Sequence, residues 1–176
     1  MERIETQRLI LRRFTPDDAP RVAQICNDEH IYRGTLSLPH PYPLECAQAW
    51  IASQDAFFAQ ERQYDFAVVE KASGTLCGCV GVSHDKAHRH GELGYWVAHE
   101  CWNRGYATEA ARALIDFCLR EKGYHRVYAR HFASNPASGR VMQKLGMTRE
   151  GVQKEHLFKA GRWEDVVLYG LTAPGE

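Results

Sequence analysis

The stretch Trp102-Asn103-Arg104-Gly105-Tyr106-Ala107-Thr108-Glu109-Ala110 joins a β-forming segment to an amphipathic helix through a short basic turn holding one glycine. Upstream, Leu93 to Ala98 carries Tyr95, Trp96 and Val97, residues that suit a pleated, half-buried surface. Downstream, Ala107, Ala111, Leu114, Ile115 and Cys118 recur at helical spacing, with Thr108, Arg112, Asp116 and Arg120 on other faces. A helix N-terminus offers unpaired N–H groups and the positive end of its dipole, so the turn reads as a diphosphate cradle. It lacks the Gly-Lys-Ser/Thr of a Walker loop and the three spaced glycines of a dinucleotide fingerprint.

About thirty residues on stands a second segment, Asn135-Pro136-Ala137-Ser138-Gly139-Arg140-Val141-Met142-Gln143-Lys144-Leu145-Gly146-Met147. Asn135 can cap a helix that has Pro136 at its first position, and Gly146 suits the left-handed residue that ends it. Either segment alone is also what a well-capped surface helix looks like. Both in this order and at this separation are a far more specific signal.

The remainder of the chain alternates in type. Arg8 to Phe14 reads as a strand, and Thr15-Pro16-Asp17-Asp18 opens a helix whose apolar face is Ala19, Val22, Ala23 and Cys26. Pro39, Pro41 and Pro43 rule out regular structure toward the end of Gly34 to Pro43. Leu44 to about Gln60 turns Ala47, Trp50, Ile51 and Phe58 to one side, which reads as core. Strands follow at Tyr64–Glu70, Thr75–Ser83 and Gly91–Ala98, the first two joined by Lys71-Ala72-Ser73-Gly74. After the loop and its helix come a strand at Arg126–Phe132, the second capped helix, and strands at Thr148–Phe158 and Trp163–Leu171. This order is α/β, with helices on the faces of one long sheet.

Composition narrows the function classes. The 176 residues suit one domain, residues 1–176, with one substantial core. Lys+Arg and Asp+Glu balance at 22 each, so no net field advertises nucleic acid or an anionic membrane, and any anion site must be local. No apolar run approaches the ~20 residues of a membrane span, and the charged N-terminus is unlike a signal peptide, so a cytoplasmic protein is expected. Six cysteines lie mostly inside apolar periodic segments without a Cys-x-x-Cys pair, which reads as buried reduced thiols. His84, Asp85, His88 and His90 fall in a polar hairpin loop poorly suited to a closed metal site, and no metal is expected.

The two capped segments resemble the acyl-CoA motifs of the GNAT N-acetyltransferases: the pyrophosphate loop Arg/Gln-x-x-Gly-x-Gly/Ala, here ending Gly105-Tyr106-Ala107, and Asn-x-x-Ser/Ala followed by Lys-Leu-Gly-Phe/Met. Glu5-Thr6-Gln7-Arg8-Leu9-Ile10-Leu11-Arg12, Glu92-Leu93-Gly94-Tyr95-Trp96 and Gly161-Arg162-Trp163-Glu164-Asp165 are similar to the opening strand, fourth strand and closing hairpin of the RimJ/RimL-like branch, so the resemblance covers most of the chain. It implies a single-domain fold with a mixed, mostly antiparallel twisted sheet of about seven strands, about four flanking helices, and fourth and fifth strands that splay apart around acyl-CoA. It also implies acetyl-CoA as co-substrate and an amine acceptor, a protein N-terminus or a small molecule, handled by a monomer or homodimer.

By the same resemblance, Val97 and Ala98 would meet the pantetheine arm, and Arg104, Gly105, Tyr106, Ala107 and Thr108 would surround the diphosphate. Asn135 and Lys144 would touch the cofactor further along. Trp102 departs from the loop pattern, which leaves the backbone and Arg104 to bind the diphosphate.

Direct transfer to an amine needs a neutral nucleophile, a stabilised oxyanion and a proton for the departing thiolate. The resemblance assigns the oxyanion to backbone N–H groups near Val97. Many relatives place a proton-donating tyrosine where this chain has Met142; Ser138, one helical turn earlier on the same face, is the expected donor instead. Glu92 shares a strand face with Gly94 and Trp96 and is the expected base, with Glu155, His156 and solvent as alternatives. An α-amine of pKa near ~8 is about a tenth neutral at pH 7, and a lysine-like amine near ~10.4 well under about one part in a thousand, which mildly favours an α-amine acceptor. Cys26, Cys77 or Cys101 as a nucleophile is disfavoured, since no paired histidine is readable from spacing. A non-catalytic acyl-CoA-binding module is the rival class.

Overall fold

A computed structural model describes residues 3–173. One eight-stranded sheet in the order β1-β2-β3-β4-β5-β6-β8-β7 spans the molecule. Its strands are β1 (Arg3–Glu5), β2 (Leu9–Arg12), β3 (Gln63–Glu70), β4 (Leu76–Asp85), β5 (His90–Val97), β6 (Arg126–Phe132), β7 (Thr148–Lys159) and β8 (Arg162–Thr172). Five α-helices accompany them: α1 (Ala19–Cys26), α2 (Glu29–Gly34), α3 (Leu44–Ala59), α4 (Tyr106–Asp116) and α5 (Pro136–Lys144).

Two elements exceed the expected seven strands and four helices. The first strand is shorter than Arg8–Phe14, and the residues before it fold back as β1, with Arg3 opposite Arg12. Helix α2 is a short one whose start is capped by Asp28 Oδ1, which accepts from His30 N–H at 2.7 Å. The segment after Gly34 runs to Pro43 without helix or strand, as the prolines require.

Every strand pair is antiparallel except β5–β6, which is parallel. That pairing covers only His90–Leu93 against Arg126–Ala129. Beyond it β5 continues to Val97 and β6 to Phe132 with no ladder between them, so the two strands splay.

Apolar residues divide by the strand period of two into cores on either side. On one face Leu9, Leu11, Phe66, Val68, Val80, Val82 and Leu93 pack with Ala111, Leu114 and Ile115 of α4 and Met142 of α5. On the other, Ala67, Val69, Leu76 and Cys79 pack with Val22 and Cys26 of α1 and Ala47 and Ile51 of α3. The second core reaches along β3 and β4 only as far as Ala67 and Cys79, and Gln63, Asp65, Gly81 and Gly94 beyond it line a cavity on the same face.

Candidate active site

The splay opens a cavity of about 340 Å³. Its walls include Glu92, Gly94 and Trp96 from one face of β5 and Leu93 and Tyr95 from the other, so the cavity passes through the sheet at the gap. Ser138 and Met142 of α5 close one side, Gln63 and Asp65 of β3 the other, and Leu36, Leu38, Tyr42 and Trp50 form the outer wall. Trp50, expected as core in preference to an acceptor platform, packs edge-on against Phe14 at 4.8 Å and also lines this space.

The exposed backbone edge in the gap follows from hydrogen-bond alternation. Ala98 N–H donates to Cys77 O at 2.8 Å, so Ala98 belongs to a hydrogen-bonded pair with β4. Tyr95 and Val97, of the other parity, therefore turn their N–H and C=O groups away from β4 into the gap. The β4–β5 register runs unbroken from Gly78–Val97 to Asp85–His90, so these groups are freed by the splay of β6, without a bulge in β5. Trp102 closes the far end, its indole N–H donating to Val97 O at 2.7 Å. The aromatic residue that breaks the loop pattern thus fixes the edge of the gap.

The expected diphosphate turn has the required backbone. Asn103 and Gly105 adopt φ of 61° and 79°, and α4 starts directly after Gly105. Left-handed φ at Gly105 costs nothing for a residue without Cβ and turns the first N–H groups of the helix outward. Ala107 and Thr108, half-buried, occupy the first turn. Tyr106 differs from expectation in its side chain, which is buried and donates its hydroxyl to Glu70, so only its backbone faces the turn. Arg104 extends toward the same carboxylate, with Nη1 3.8 Å from Glu70 Oε1.

The sequence reading missed Arg8. Its Nη1 donates to Arg104 O at 2.9 Å, its Nε to Glu109 Oε2 at 2.7 Å, and its guanidinium lies over the Tyr106 ring at 5.0 Å. Three donors, from Thr6 and Arg8, converge on Glu109 and hold its carboxyl below the usual range despite burial. The acidic residue in the first turn is thereby neutralised, which leaves the positive end of α4 unopposed.

Asn135 caps α5, its Oδ1 accepting from Ser138 N–H at 3.4 Å, while its Nδ2 donates to Gly34 O at 3.1 Å. Both polar ends of this side chain are thus engaged within the protein. Lys144 is exposed at the far end of α5, where its carbonyl accepts from Arg112 of α4.

Ser138 faces the cavity, and its Oγ lies 2.8 Å from the Tyr95 hydroxyl, which also donates to Ser138 O at 3.1 Å. Burial pushes the Tyr95 phenol up to about 12. Met142 lies beside Ser138 on the wall, as the four-residue spacing requires. Glu92 also faces the cavity, but not as a free carboxylate. Arg130 of β6 grips it with two hydrogen bonds, Nε to Oε1 at 2.7 Å and Nη2 to Oε2 at 3.1 Å, and Tyr128 adds a hydroxyl at 3.3 Å. Glu155 and His156 lie on the exposed edge strand β7, separated from β6 by β8 and outside the cavity lining.

The remaining sequence features resolve simply. His84 stacks on Tyr124 at 4.1 Å, while His88 stacks on His90. All six cysteines are free thiols, and burial pushes Cys26 and Cys77 up to about 12, far from a thiolate at neutral pH. No described helix is long and apolar enough to cross a membrane.

Comparisons with known proteins bear on the family and the fold. Residues 8–148 match the family model described as the acetyltransferase (GNAT) domain. The chain is 28% identical over 174 residues to an uncharacterized N-acetyltransferase, YoaA, of Bacillus subtilis, covering 98% of both chains. It is 28% identical over 178 residues to the ribosomal protein uS5 alanine N-acetyltransferase of Escherichia coli, covering 98% of this chain and 91% of the relative. Among solved structures, the ribosomal L7/L12 α-N-protein acetyltransferase RimL, determined with coenzyme A, superposes with a TM-score of 0.90 at 17% identity, covering 98% of each chain. With the family matched across the loop, the gap and α5, the chain belongs to the GNAT family of N-acetyltransferases.

Proposed function

We propose that the protein moves the acetyl group of acetyl-CoA to a primary amine by direct transfer within a ternary complex, in the cytoplasm. The observation that carries this reading is the cavity through the sheet: a backbone edge and the Ser138–Tyr95 pair stand at one side of the gap, polar acceptor-facing residues at the other. The solved relative with coenzyme A and the relative named for alanine on a ribosomal protein support the cofactor class and an α-amine acceptor.

Acetyl-CoA, when bound, supplies an electrophilic thioester carbonyl. The N–H groups of α4 and the guanidinium groups of Arg8 and Arg104 hold its diphosphate. The Val97 edge pairs with the pantetheine amides through the groups that the Trp102 indole leaves free. A gap-facing N–H of Tyr95 or Val97 stabilises the oxyanion. Ser138 gives its proton to the departing thiolate and is resupplied by Tyr95. Glu92, with both oxygens engaged by Arg130, is better suited to shaping and orienting the acceptor side than to taking a proton.

Free-thiol release from acetyl-CoA, measured with peptides of varied N-termini, polyamines and aminoglycosides alongside acetyl-CoA binding, tests this. Turnover on an amine supports the proposal. Tight acetyl-CoA binding without turnover on any amine would replace it with a non-catalytic acyl-CoA module.

A further inference from the structure

A buried carboxylate on the acceptor side has no part in the chemistry above. Asp65 lies on β3 directly opposite Gly81 of β4, which in turn lies opposite Gly94 of β5. The row Asp65–Gly81–Gly94 crosses three strands on the face that bears Glu92, and it ends at the gap. A Cβ at position 81 would fall inside the Asp65 carboxylate, so the side chain lies flat over β4 and points along the row. At Gly94 an added Cβ would meet nothing within 4 Å. The floor between the carboxylate and the gap is therefore open.

Charge makes this arrangement unusual. Asp65 is 6% exposed, and among the described residues no cationic side chain pairs with it; its partner is the Gln63 amide, from the same strand. A buried carboxylate without a counter-ion is costly. The other titratable groups lining the same cavity are Tyr42, Cys79 from β4, Glu92 and Tyr95 from β5 and Arg130 from β6; Arg130 is the one cation among them, and it is already committed to Glu92. Desolvation pushes the Asp65 carboxyl up to about 7. A missing positive charge beside an open floor is what a cationic acceptor would supply.

We infer that Asp65 is the acceptor-amine site of this enzyme, receiving the protonated amine over Gly94 and removing its proton, directly or through one water. The carboxylate lies over Gly81, one strand spacing of about 4.8 Å from Gly94, a span that one water bridges to an amine over Gly94. The inference rests on the acetyl-transfer reading above and names its acceptor as a cationic amine. Of the three protons on the ammonium, one passes to Asp65 and then to solvent, one replaces the proton that the Ser138–Tyr95 pair gives to the CoA thiolate, and one stays on the amide. The N–C bond forms as the C–S bond breaks.

Two variants and two readouts test it, with spermidine and a hexapeptide beginning with alanine as probes. Asp65→Asn keeps shape and removes the charge; Gly94→Val fills the floor at a position with no left-handed φ. The carboxyl ¹³C resonance of Asp65 in the CoA-bound protein should titrate at lower pH when millimolar probe is added, because a nearby cation favours the carboxylate, and Gly94→Val should abolish that shift. Absence of any shift with both probes would overturn the site. In thiol-release assays Asp65→Asn should lower kcat/KM at least tenfold at pH 7 and remove the inflection near neutrality, with acetyl-CoA affinity unchanged. An Asp65→Asn enzyme with wild-type kcat/KM and pH profile would overturn the proton-acceptor role. A probe-dependent shift without thiol release from any amine would leave the amine site standing and remove acetyl transfer instead.

Discussion

The Tyr95 hydroxyl and Ser138 Oγ lie 2.8 Å apart, joining β5 to α5 across the opening between the splayed strands. A phenol thereby reaches the wall of the cavity from the strand, although Met142 occupies the helix position to which the family resemblance assigns a tyrosine. If Ser138 donates to the thiolate with Tyr95 behind it, Ser138→Ala should lower turnover by ~10²-fold and Tyr95→Phe by less, with acetyl-CoA affinity held. The double variant should lose no more than Ser138→Ala alone, since the two act in series. Ser138→Ala/Met142→Tyr should regain part of the rate. Steady-state kinetics with separate binding measurements check this, and full activity in Ser138→Ala would leave solvent as the proton source.

The diphosphate turn admits a sharper test. Gly105→Asp places a negative charge where phosphate would approach and a Cβ 3.4 Å from Arg8 Nη2, at a left-handed φ of 79°. Loss of acetyl-CoA affinity by at least tenfold is expected, together with about 1–2 kcal/mol of stability from the strained backbone. Gly105→Ala should show the stability loss with a smaller affinity loss. Equal affinities for both variants and the wild type, read by calorimetric titration, would remove the turn from the binding site.

The helix caps and the turns that open α4 and α5 were legible because they are local. Asn135, Pro136, Gly105 and Gly146 act within one turn of their own position, and their sequence spacing carries the signal. Asp65 and Tyr95 were not legible as site residues. Tyr64 to Glu70 reads correctly as a strand, but only the register across β3, β4 and β5 shows that two glycines clear a floor beside Asp65. Tyr95 alternates with Trp96 and falls on the face of the α4 core, so its reach to Ser138 exists only because β6 diverges after Ala129. Strand β1 was missed for a similar reason: three residues carry too little periodicity to read.

Glu92 and Arg130 form a pair in which removing one charge strands the other. Glu92→Gln should raise the acceptor KM by about an order of magnitude, since truncating a partner leaves the second charge half-buried and unpaired. Arg130→Gln should do the same, and acetyl-CoA affinity should hardly move in either. A loss in Glu92→Gln that fades at high pH, where the amine is already neutral, would return the base role to Glu92. A loss independent of pH fits orientation of the acceptor.

The buried Asp65 carboxyl also ties stability to pH, with a sign opposite to that of a salt-bridged acid. Its folded value is raised to about 7, against about 3.9 for an unfolded aspartate. Between those limits the folded state binds more protons than the unfolded one, so this group makes stability fall as pH rises, by up to about 1.4 kcal/mol per pH unit. Below the unfolded value the penalty is absent, and above the folded value it is complete. Asparagine at this position cannot ionise and still offers an oxygen to the Gln63 amide. Asp65→Asn should therefore match the wild type near pH 4 and exceed it increasingly up to pH 8, as read from urea unfolding midpoints at constant slope. An Asp65→Asn protein less stable than the wild type at pH 8 would mean that the ionised carboxylate has a stabilising partner, and the empty acceptor floor would lose its electrostatic basis.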